Sequence, residues 1–197
     1  MDPTVRSAID ALIEEGAEIF DHFDRTVRDK EFHPFVPAEY PPILDALETL
    51  RHSDRLPRRS GPPTFLEFGS GTGVITIVAD LFGFDAAGIE LDADLVAIAR
   101  QLATRHGSRA RFVAGSFIPS GYKWRPSHGD ARMGTIGSGP SAYLELGRGL
   151  DDFDVVYAYP WEGEAPIIRD LMDKYGNPGA HLLLMDPVEG LRVMSPG

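Results

Sequence analysis

A glycine-rich segment that follows a short apolar run is the part of this sequence best suited to chemistry. The segment covers residues 69–73 (GSGTG), the run covers residues 64–68 (TFLEF), and Glu67 lies inside the run. Glycines at such a turn let a ligand approach the backbone, and the N-terminus of a following helix favours a carboxylate or phosphate. Further along, Glu90 ends a second apolar run, where an acidic residue can hydrogen-bond the hydroxyls of a ribose. The pattern predicts a loop that binds a nucleoside-containing cofactor.

The spacing of the glycines separates two classes of cofactor. The dinucleotide fingerprint G-x-G-x-x-G would need a glycine at position 74, where this chain has Val74. The order is instead G-x-G-x-G, preceded by an acidic residue, Glu67, within the strand. In these residues the sequence resembles the class I S-adenosylmethionine-dependent methyltransferases, whose first motif reads much like LEFGSGTG. The resemblance covers residues 64–186.

The resemblance implies which residues would contact the cofactor. In the family, the residue equivalent to Glu67 helps to place the methionine amino group of the cofactor. The residue equivalent to Glu90 binds both ribose hydroxyls, and the residue equivalent to Leu91 flanks the adenine. A buried acid that caps nearby backbone amides is the alternative for Glu67, and a solvated strand-end residue is the alternative for Glu90. The full set of implied cofactor contacts is Glu67, Gly69, Ser70, Gly71, Gly73, Glu90, Leu91, Ser116, Phe117 and Tyr159.

The segment after the third strand departs from the family. Members often have an acidic residue there that touches the adenine amino group, whereas this chain reads Gly115-Ser116-Phe117. Adenine recognition would therefore rest on the Ser116 hydroxyl, on backbone groups and on Phe117.

The segment after the fourth strand resembles the family's fourth motif, which lies over the reacting methyl group. It reads Tyr159-Pro160-Trp161-Glu162 and lacks the Asn or Asp of the Asn-Pro-Pro-aromatic motif of amino methyltransferases. The aromatic pair could pack on a sulfonium or ammonium group by cation–π attraction, and Glu162 could orient an acceptor. Tyr159, Trp161 and Glu162 are therefore the catalytic candidates. Packing residues at the top of the sheet and a surface carboxylate are the alternatives.

Alternating strands and helices must position these residues from residue 64 onward. Repeated β-α units of this size predict a doubly wound, mostly parallel α/β sheet with helices on both faces, the Rossmann-like fold that the resemblance also implies. The predicted strands are 64–68, 85–90, 111–114, 153–158 and 181–185, and the predicted helices are 74–81, 93–104 and 165–175. The chain thus divides into an N-terminal helical region, 1–63, and an S-adenosylmethionine-binding domain, 64–197.

Two segments outside these units could cover the site. The N-terminal region contains a predicted helix over 3–29, an extended proline-rich arm over 32–42 and a second helix over 42–51. Residues 34–37 (PFVP), together with the second helix, look like the lid segment of some seven-strand protein lysine methyltransferases. Residues 117–152 form a long insertion between the third and fourth strands, which is either a lid over the active site or a disordered insertion.

The C-terminal end is short for this family. Most members continue past strand five with a helix and an antiparallel two-strand hairpin, whereas residues 187–197 leave room for one edge strand, 191–194. If the edge of strand five were left naked, it would need to be covered by the N-terminal arm or by a partner chain, such as a second copy in a homo-oligomer.

Composition excludes several other functions. The net charge of −11 disfavours a protein whose main task is to grip nucleic-acid backbone. The chain has no cysteine, which excludes a thiol nucleophile, and its six histidines lack metal-ligand spacing, so no metal is expected. No apolar run is long enough to span a membrane and no signal peptide is visible, so we expect a cytoplasmic protein without a membrane partner.

Methyl transfer from S-adenosylmethionine is the first functional hypothesis. No convincing general base is visible, which favours a nitrogen acceptor with a neutral lone pair, in a small molecule or a protein lysine, or an oxygen that is already acidic. A non-catalytic protein that binds S-adenosylmethionine or S-adenosylhomocysteine, as a sensor or partner subunit, is the second hypothesis. A nicotinamide-dependent oxidoreductase is the third.

Overall fold

A single sheet lies at the centre of the computed structural model, which describes residues 1–27, 39–57, 60–123, 136, 139–161 and 163–194. Within these residues its strands are β1 (Thr64–Phe68), β2 (Asp85–Glu90), β3 (Arg111–Ala114), β4 (Val155–Ala158), β5 (His181–Asp186) and β6 (Gly190–Met194). Their order is β3-β2-β1-β4-β5-β6; β1 to β5 run parallel, and β6 runs antiparallel to β5. The predicted doubly wound, mostly parallel α/β fold is confirmed.

Helices cover both faces of this sheet. They are α1 (Pro3–Val27), α2 (Tyr40–Arg51), α3 (Val74–Leu81), α4 (Ala93–Arg105), α5 (Tyr143–Leu146) and α6 (Ala165–Tyr175), with a 3₁₀ turn at Leu150–Asp152. Helices α1 to α4 pack on one face, and α5, the 3₁₀ turn and α6 pack on the other. The parallel strands end at one edge of the sheet, where open α/β sheets bind their ligands. None of the helices in the described ranges is long and apolar enough to cross a membrane.

Helix α3 is the centre of the core on the first face. Its residues 74–79 are all buried, because its sequence VITIVADL is apolar on almost every side and other helices enclose it. Helix α1 contributes the buried side chains of Ile9 and Leu12 to this core. Gly16 of α1 allows close packing, because a Cβ at this position would lie 2.7 Å from Cγ2 of Val74. The N-terminal helices therefore share one core with the sheet.

Helix α2 begins earlier than the sequence predicts. Pro41, predicted to belong to the extended arm, lies with Pro42 in the first turn of α2, which begins at Tyr40. The first turn of a helix tolerates proline because its N–H groups have no partner inside the helix. Residues 34–37, on which the resemblance to a lid depends, lie outside the described residues.

The insertion between β3 and β4 is anchored near its start and near its end. At the start, the hydroxyl of Tyr122 donates a 2.7 Å hydrogen bond to the carboxylate of Asp170 in α6. Towards the end, the side chain of Ile136 is buried in the core on the second face, and Ser141 forms a β-bridge with Ser116. The parts of the insertion that the structure describes are therefore packed against the sheet and α6.

The middle of the insertion, residues 124–135 and 137–138, lies outside the described residues, so the choice between a lid and a disordered segment stays a prediction. Its last part, predicted to be helical over 143–150, divides into α5 and the 3₁₀ turn. Gly147 ends α5 with a φ angle of 70°, a conformation that commonly terminates helices.

The edge of β5 is covered by β6. The two strands form a hairpin in which Leu183 pairs with Val193, and α2 packs against β6. The predicted edge strand 191–194 is thus confirmed, with one further residue, Gly190, at its start. Because β6 pairs with β5, the β5 edge is not naked and needs no cover from the N-terminal arm or a partner chain. A homo-oligomer stays a prediction.

Candidate functional site

The glycine loop, residues 69–73, forms the turn between β1 and α3. Gly69, Gly71 and Gly73 have φ angles of 69°, 52° and 82°, a conformation that other residues rarely adopt. The amides of Gly69 and Ser70 donate to the carbonyl of Ile89 at 2.9 and 3.0 Å, which holds the loop against β2. The loop therefore presents main chain, with little side-chain bulk, at the carboxyl edge of the sheet.

Glu90 is tied to the glycine loop by its carboxylate. One oxygen accepts a 2.9 Å hydrogen bond from the amide of Gly71, and the other accepts a 3.1 Å bond from the amide of Asp92. Burial raises the pKa of Glu90, and the amides of Asp92, Gly71 and Leu91 act in the opposite direction. A carboxylate has about four acceptor sites, so these bonds leave room for further donors such as ribose hydroxyls. Glu90 is not a freely solvated strand-end residue.

A row of residues across the sheet forms the surroundings of Glu67. Glu67 pairs in register with Gly88 of β2 and with Tyr157 of β4, so the three lie side by side. The carboxylate of Glu67 accepts hydrogen bonds from the hydroxyl and the amide of Thr76 in α3, the latter at 3.0 Å. Gly88 leaves room for this contact, because a Cβ there would lie 2.9 Å from the Thr76 hydroxyl oxygen and 2.7 Å from Cβ of Ser70.

Glu67 is a buried carboxyl group with a shifted pKa. Burial raises its pKa from 4.5 to about 8, the hydrogen bonds from Thr76 oppose the shift, and the charge of Glu90 adds to it. The buried hydroxyl of the neighbouring Tyr157 has no hydrogen-bond partner among the described residues. Glu67 thus holds the first turn of α3 to β1, which agrees with the alternative that it is a buried acid capping backbone amides. A contact between Glu67 and a cofactor stays a prediction.

The raised pKa of Glu67 makes the protein less stable as the pH rises. Between 4.5 and about 8, the folded protein keeps the proton that the unfolded chain has released, so this group lowers the free energy of unfolding across the window and no further above it. Glu67→Gln removes the titrating group, and we expect a shallower decline in urea denaturation series across the same window. Glu14→Gln, which removes an exposed carboxyl of α1, is the control; an equal change in slope for both variants would contradict the assignment.

The residues predicted to recognise adenine are engaged in other contacts. The N–H of Ser116 donates to the carbonyl of Pro140 at 2.9 Å, and the Ser116 carbonyl accepts from the amide of Ala142 at 2.9 Å. The ring of Phe117 is buried in the core on the second face and stacks on Phe68, with 4.3 Å between the ring centroids. Phe117 therefore has a packing role, and adenine contacts from Ser116 and Phe117 stay predictions.

Leu91 lies beside the end of the insertion. A Cβ added to Gly139 would lie 3.5 Å from Cδ2 of Leu91 and 3.9 Å from the amide nitrogen of Ser116. The structure thus brings Leu91, Ser116 and the end of the insertion together next to Glu90. This is the side of the site where the resemblance implies that the adenine lies.

The segment after β4 carries the catalytic candidates. The side chains of Tyr159 and Trp161 are half-buried, and Tyr159 packs against the core on the first face, in agreement with the packing alternative. The amide of Trp161 donates to the carboxylate of Glu164 at 3.0 Å. Because β4 pairs with β1, this segment starts beside the glycine loop. Glu162 lies outside the described residues, and a catalytic role of Tyr159, Trp161 and Glu162 stays a prediction.

Three residues that shape the site were not predicted from the sequence. Thr76 and Gly88 support Glu67, and Glu164 joins the segment after β4 to the amide of Ile136 in the insertion at 2.9 Å. A glycine inside a predicted central strand is the signal that could have indicated Gly88, because it often marks a close approach of another group. No local signal indicates the pair of Glu164 and Ile136, which lie 28 residues apart.

The site offers donors and acceptors for a nucleoside, and its described residues form no cluster of ligands for a metal ion. In the described part of the chain, no group of three His, Asp or Glu side chains could hold a metal. The loop instead combines the Glu90 carboxylate with the buried hydroxyl of Ser70, which has no hydrogen-bond partner in the described ranges. These groups, together with main chain that a ligand can approach, fit an adenosyl group.

Comparisons with known proteins identify the fold. The chain is similar to the crystal structure of an RNA methyltransferase from Salinibacter ruber in complex with S-adenosyl-L-homocysteine, with a TM-score of 0.51 and 23% identity, over 77% of this chain and 78% of that chain. It is also similar to a hypothetical protein from Thermus thermophilus, with a TM-score of 0.50 and 21% identity, over 82% of this chain and 91% of that chain. An S-adenosylmethionine-dependent methyltransferase from Thiobacillus denitrificans in complex with S-adenosyl-L-homocysteine gives a TM-score of 0.47 and 19% identity over 82% of this chain, which spans 53% of that chain.

No family model matches the chain, and no curated protein matches it. The likeness to the Salinibacter and Thermus structures shows the fold: the chain has the α/β fold of the class I S-adenosylmethionine-dependent methyltransferases.

Proposed function

We propose that the chain is an S-adenosylmethionine-dependent methyltransferase that acts on a nitrogen atom of a small molecule or of a protein lysine. The observation that carries the proposal is the hydrogen bond from the amide of Gly71 to the carboxylate of Glu90. It sets an acidic acceptor at the end of β2 against a glycine turn after β1, the combination that binds the ribose of a cofactor in folds of this kind. The fold shared with the Salinibacter methyltransferase supports the same assignment.

Val74 argues against a dinucleotide cofactor. The dinucleotide fingerprint needs a glycine at this position for close packing of helix and strand. Here the Val74 side chain is buried, and it fills the space where α1 approaches α3 at Gly16. A nicotinamide dinucleotide is therefore not part of the proposal.

The residues of the site would bind and orient the two reactants. S-adenosylmethionine, when bound, supplies an electrophilic methyl group. Glu90 would hold the ribose hydroxyls, while Glu67 keeps the first turn of α3 in place below the glycine loop. Tyr159 and Trp161, on the segment that starts beside the loop, would exclude water from the acceptor and contact its cationic form by cation–π attraction.

Among possible methyl acceptors, a neutral amine requires the least catalytic assistance from these side chains. Its nitrogen requires a free lone pair and an aligned approach, but no strong base or metal. A nucleic-acid acceptor suits the chain less well because the net charge is −11, although the Salinibacter protein is described as an RNA methyltransferase. The proposal therefore names small amines and protein lysines as the acceptor class.

Calorimetry followed by a transfer assay tests this function. We expect the protein to bind S-adenosylmethionine and S-adenosylhomocysteine but not NAD. Methyl-labelled S-adenosylmethionine is then supplied with three separate acceptor pools: small amines, lysine-containing peptides and RNA. Label in the amine or peptide pool supports the proposal, and label in RNA alone overturns the acceptor class. Binding without transfer to any pool would favour the non-catalytic alternative, and no binding of either nucleoside would overturn the proposal as a whole.

A further inference from the structure

The carboxylate of Glu164 joins two parts of the chain that are distant in sequence. Its Oε2 accepts a 3.0 Å hydrogen bond from the amide of Trp161, and its Oε1 accepts a 2.9 Å bond from the amide of Ile136. The side chain of Glu164 is 8% exposed and that of Ile136 is 3% exposed, so water competes little for these bonds. We propose that Glu164 is a positioning residue that fixes the segment after β4 to the insertion at Ile136 and so determines where Trp161 lies.

A helix cap is the other role for an acidic residue at this place. Glu164 directly precedes α6, and a capping side chain would accept hydrogen bonds from the first amides of its own helix. The Glu164 side chain makes no capping hydrogen bond, and the amides of Ile167 and Ile168 donate to its carbonyl instead. The two carboxylate oxygens accept from residues outside the helix. The link between Trp161 and Ile136 therefore explains the presence of an acidic residue at position 164 better than helix capping does.

A carboxylate is the side-chain group that can accept from both amides at once. Each oxygen takes one N–H, and hydrogen bonds to an ionised group are stronger than neutral ones. The N-terminus of α6 also favours a negative charge at this point. A glutamine would keep one acceptor oxygen and turn its amino group towards the second N–H. Glu164→Gln and Glu164→Ala therefore form a graded series that weakens the link.

The link couples the catalytic candidate Trp161 to the core. Ile136 is packed in the same apolar cluster as Ile168 of α6, so it is a fixed point for the segment after β4. When the link breaks, the backbone at Trp161 is free to move relative to the glycine loop. The consequence for methyl transfer rests on the proposed function, whereas the link itself does not.

The fluorescence of Trp161 tests the proposal without a known acceptor. The chain has two tryptophans, so Trp124→Phe leaves Trp161 as the single tryptophan reporter. In this background we expect Glu164→Gln to shift the Trp161 emission to the red and Glu164→Ala to shift it further. Amide hydrogen exchange at Ile136 and Trp161, followed by NMR, should become faster by about tenfold or more as the bonds are lost. Glu164→Gln keeps the size of the side chain and serves alone if the alanine variant does not fold.

Asp170→Asn is the matched control. It removes a carboxylate of α6 that holds the start of the insertion through Tyr122, and it should leave the Trp161 emission and the exchange at Ile136 unchanged. An equal response to Asp170→Asn, or no response in either Glu164 variant, would overturn the proposal. Calorimetry of the wild-type protein with S-adenosylhomocysteine separates the two proposals, because absence of binding overturns the methyltransferase function while the Trp161 response still decides the role of Glu164.

Discussion

Glu90→Ala is expected to weaken the binding of S-adenosylmethionine by about a hundredfold, because it removes the proposed acceptor of two ribose hydroxyls. Hydrogen bonds to charged groups contribute about 1.5–3 kcal/mol each, so losing the pair at the lower end of this range corresponds to about a hundredfold in Kd. The same carboxylate accepts from the amides of Gly71 and Asp92 at 2.9 and 3.1 Å, so the variant also removes one of the bonds that hold the glycine loop against β2. Isothermal titration calorimetry measures the change in Kd directly.

Two further variants separate the ribose contact from effects on the fold. Glu90→Gln keeps the size of the side chain and one acceptor oxygen, so its affinity should fall between those of the wild type and Glu90→Ala. Asp92→Ala removes the cap of α4, where Oδ1 of Asp92 accepts a 2.8 Å bond from the amide of Asp94. It should cost about 1 kcal/mol of stability with little change in affinity. Undiminished affinity in Glu90→Ala would contradict the proposed binding site.

Gly73→Ala is expected to lower the free energy of unfolding by about 3 kcal/mol, as the sum of backbone strain and overpacking. Gly73 has a φ angle of 82°, which disfavours any side chain. A Cβ at this position would also lie 2.6 Å from the ring of Phe112 and 2.9 Å from Cβ of Ala99. Urea denaturation followed by circular dichroism measures the loss.

Gly107→Ala is the matched control, because Gly107 has the same left-handed backbone without the crowding. Its φ angle is 63°, and nothing lies within 4 Å of its Cβ position. The backbone penalty alone applies there, about 1 kcal/mol. Phe112→Leu should restore part of the stability lost in Gly73→Ala and none of that lost in Gly107→Ala. Equal losses at the two glycines would contradict the close packing of the glycine loop against β3 and α4.

Much of the fold could be predicted from the sequence because its signals are local. The bounds of β1, β2, β3, α3 and α6 agree with those predicted, since each is an apolar run or an amphipathic stretch bounded by glycines, prolines or polar residues. The glycine loop and Glu90 belong to one β-α-β unit with short connections. Their hydrogen bond therefore follows from the same local pattern.

The direction of side chains after a strand ends could not be predicted in this way. The ring of Phe117 stacks on Phe68 in the core, a packing contact that the sequence did not indicate, while the adenine contact that the resemblance implies for Phe117 stays a prediction. Gly115 follows β3 with a φ angle of 150°, so the alternation of side chains along the strand no longer applies beyond it.

Contacts between residues that are distant in sequence could not be predicted either. Glu164 and Ile136 lie 28 residues apart, and no periodicity connects the two. Such contacts follow from the packed fold as a whole, and only the structure reveals them.

A crystal structure of the protein with S-adenosylhomocysteine tests the central claim most directly. We expect the adenosyl group beside residues 69–73, with both ribose hydroxyls donating to the carboxylate of Glu90. A complex in which the ligand lies elsewhere, with Glu90 bonded only to the amides of Gly71 and Asp92 as it is here, would contradict the claim.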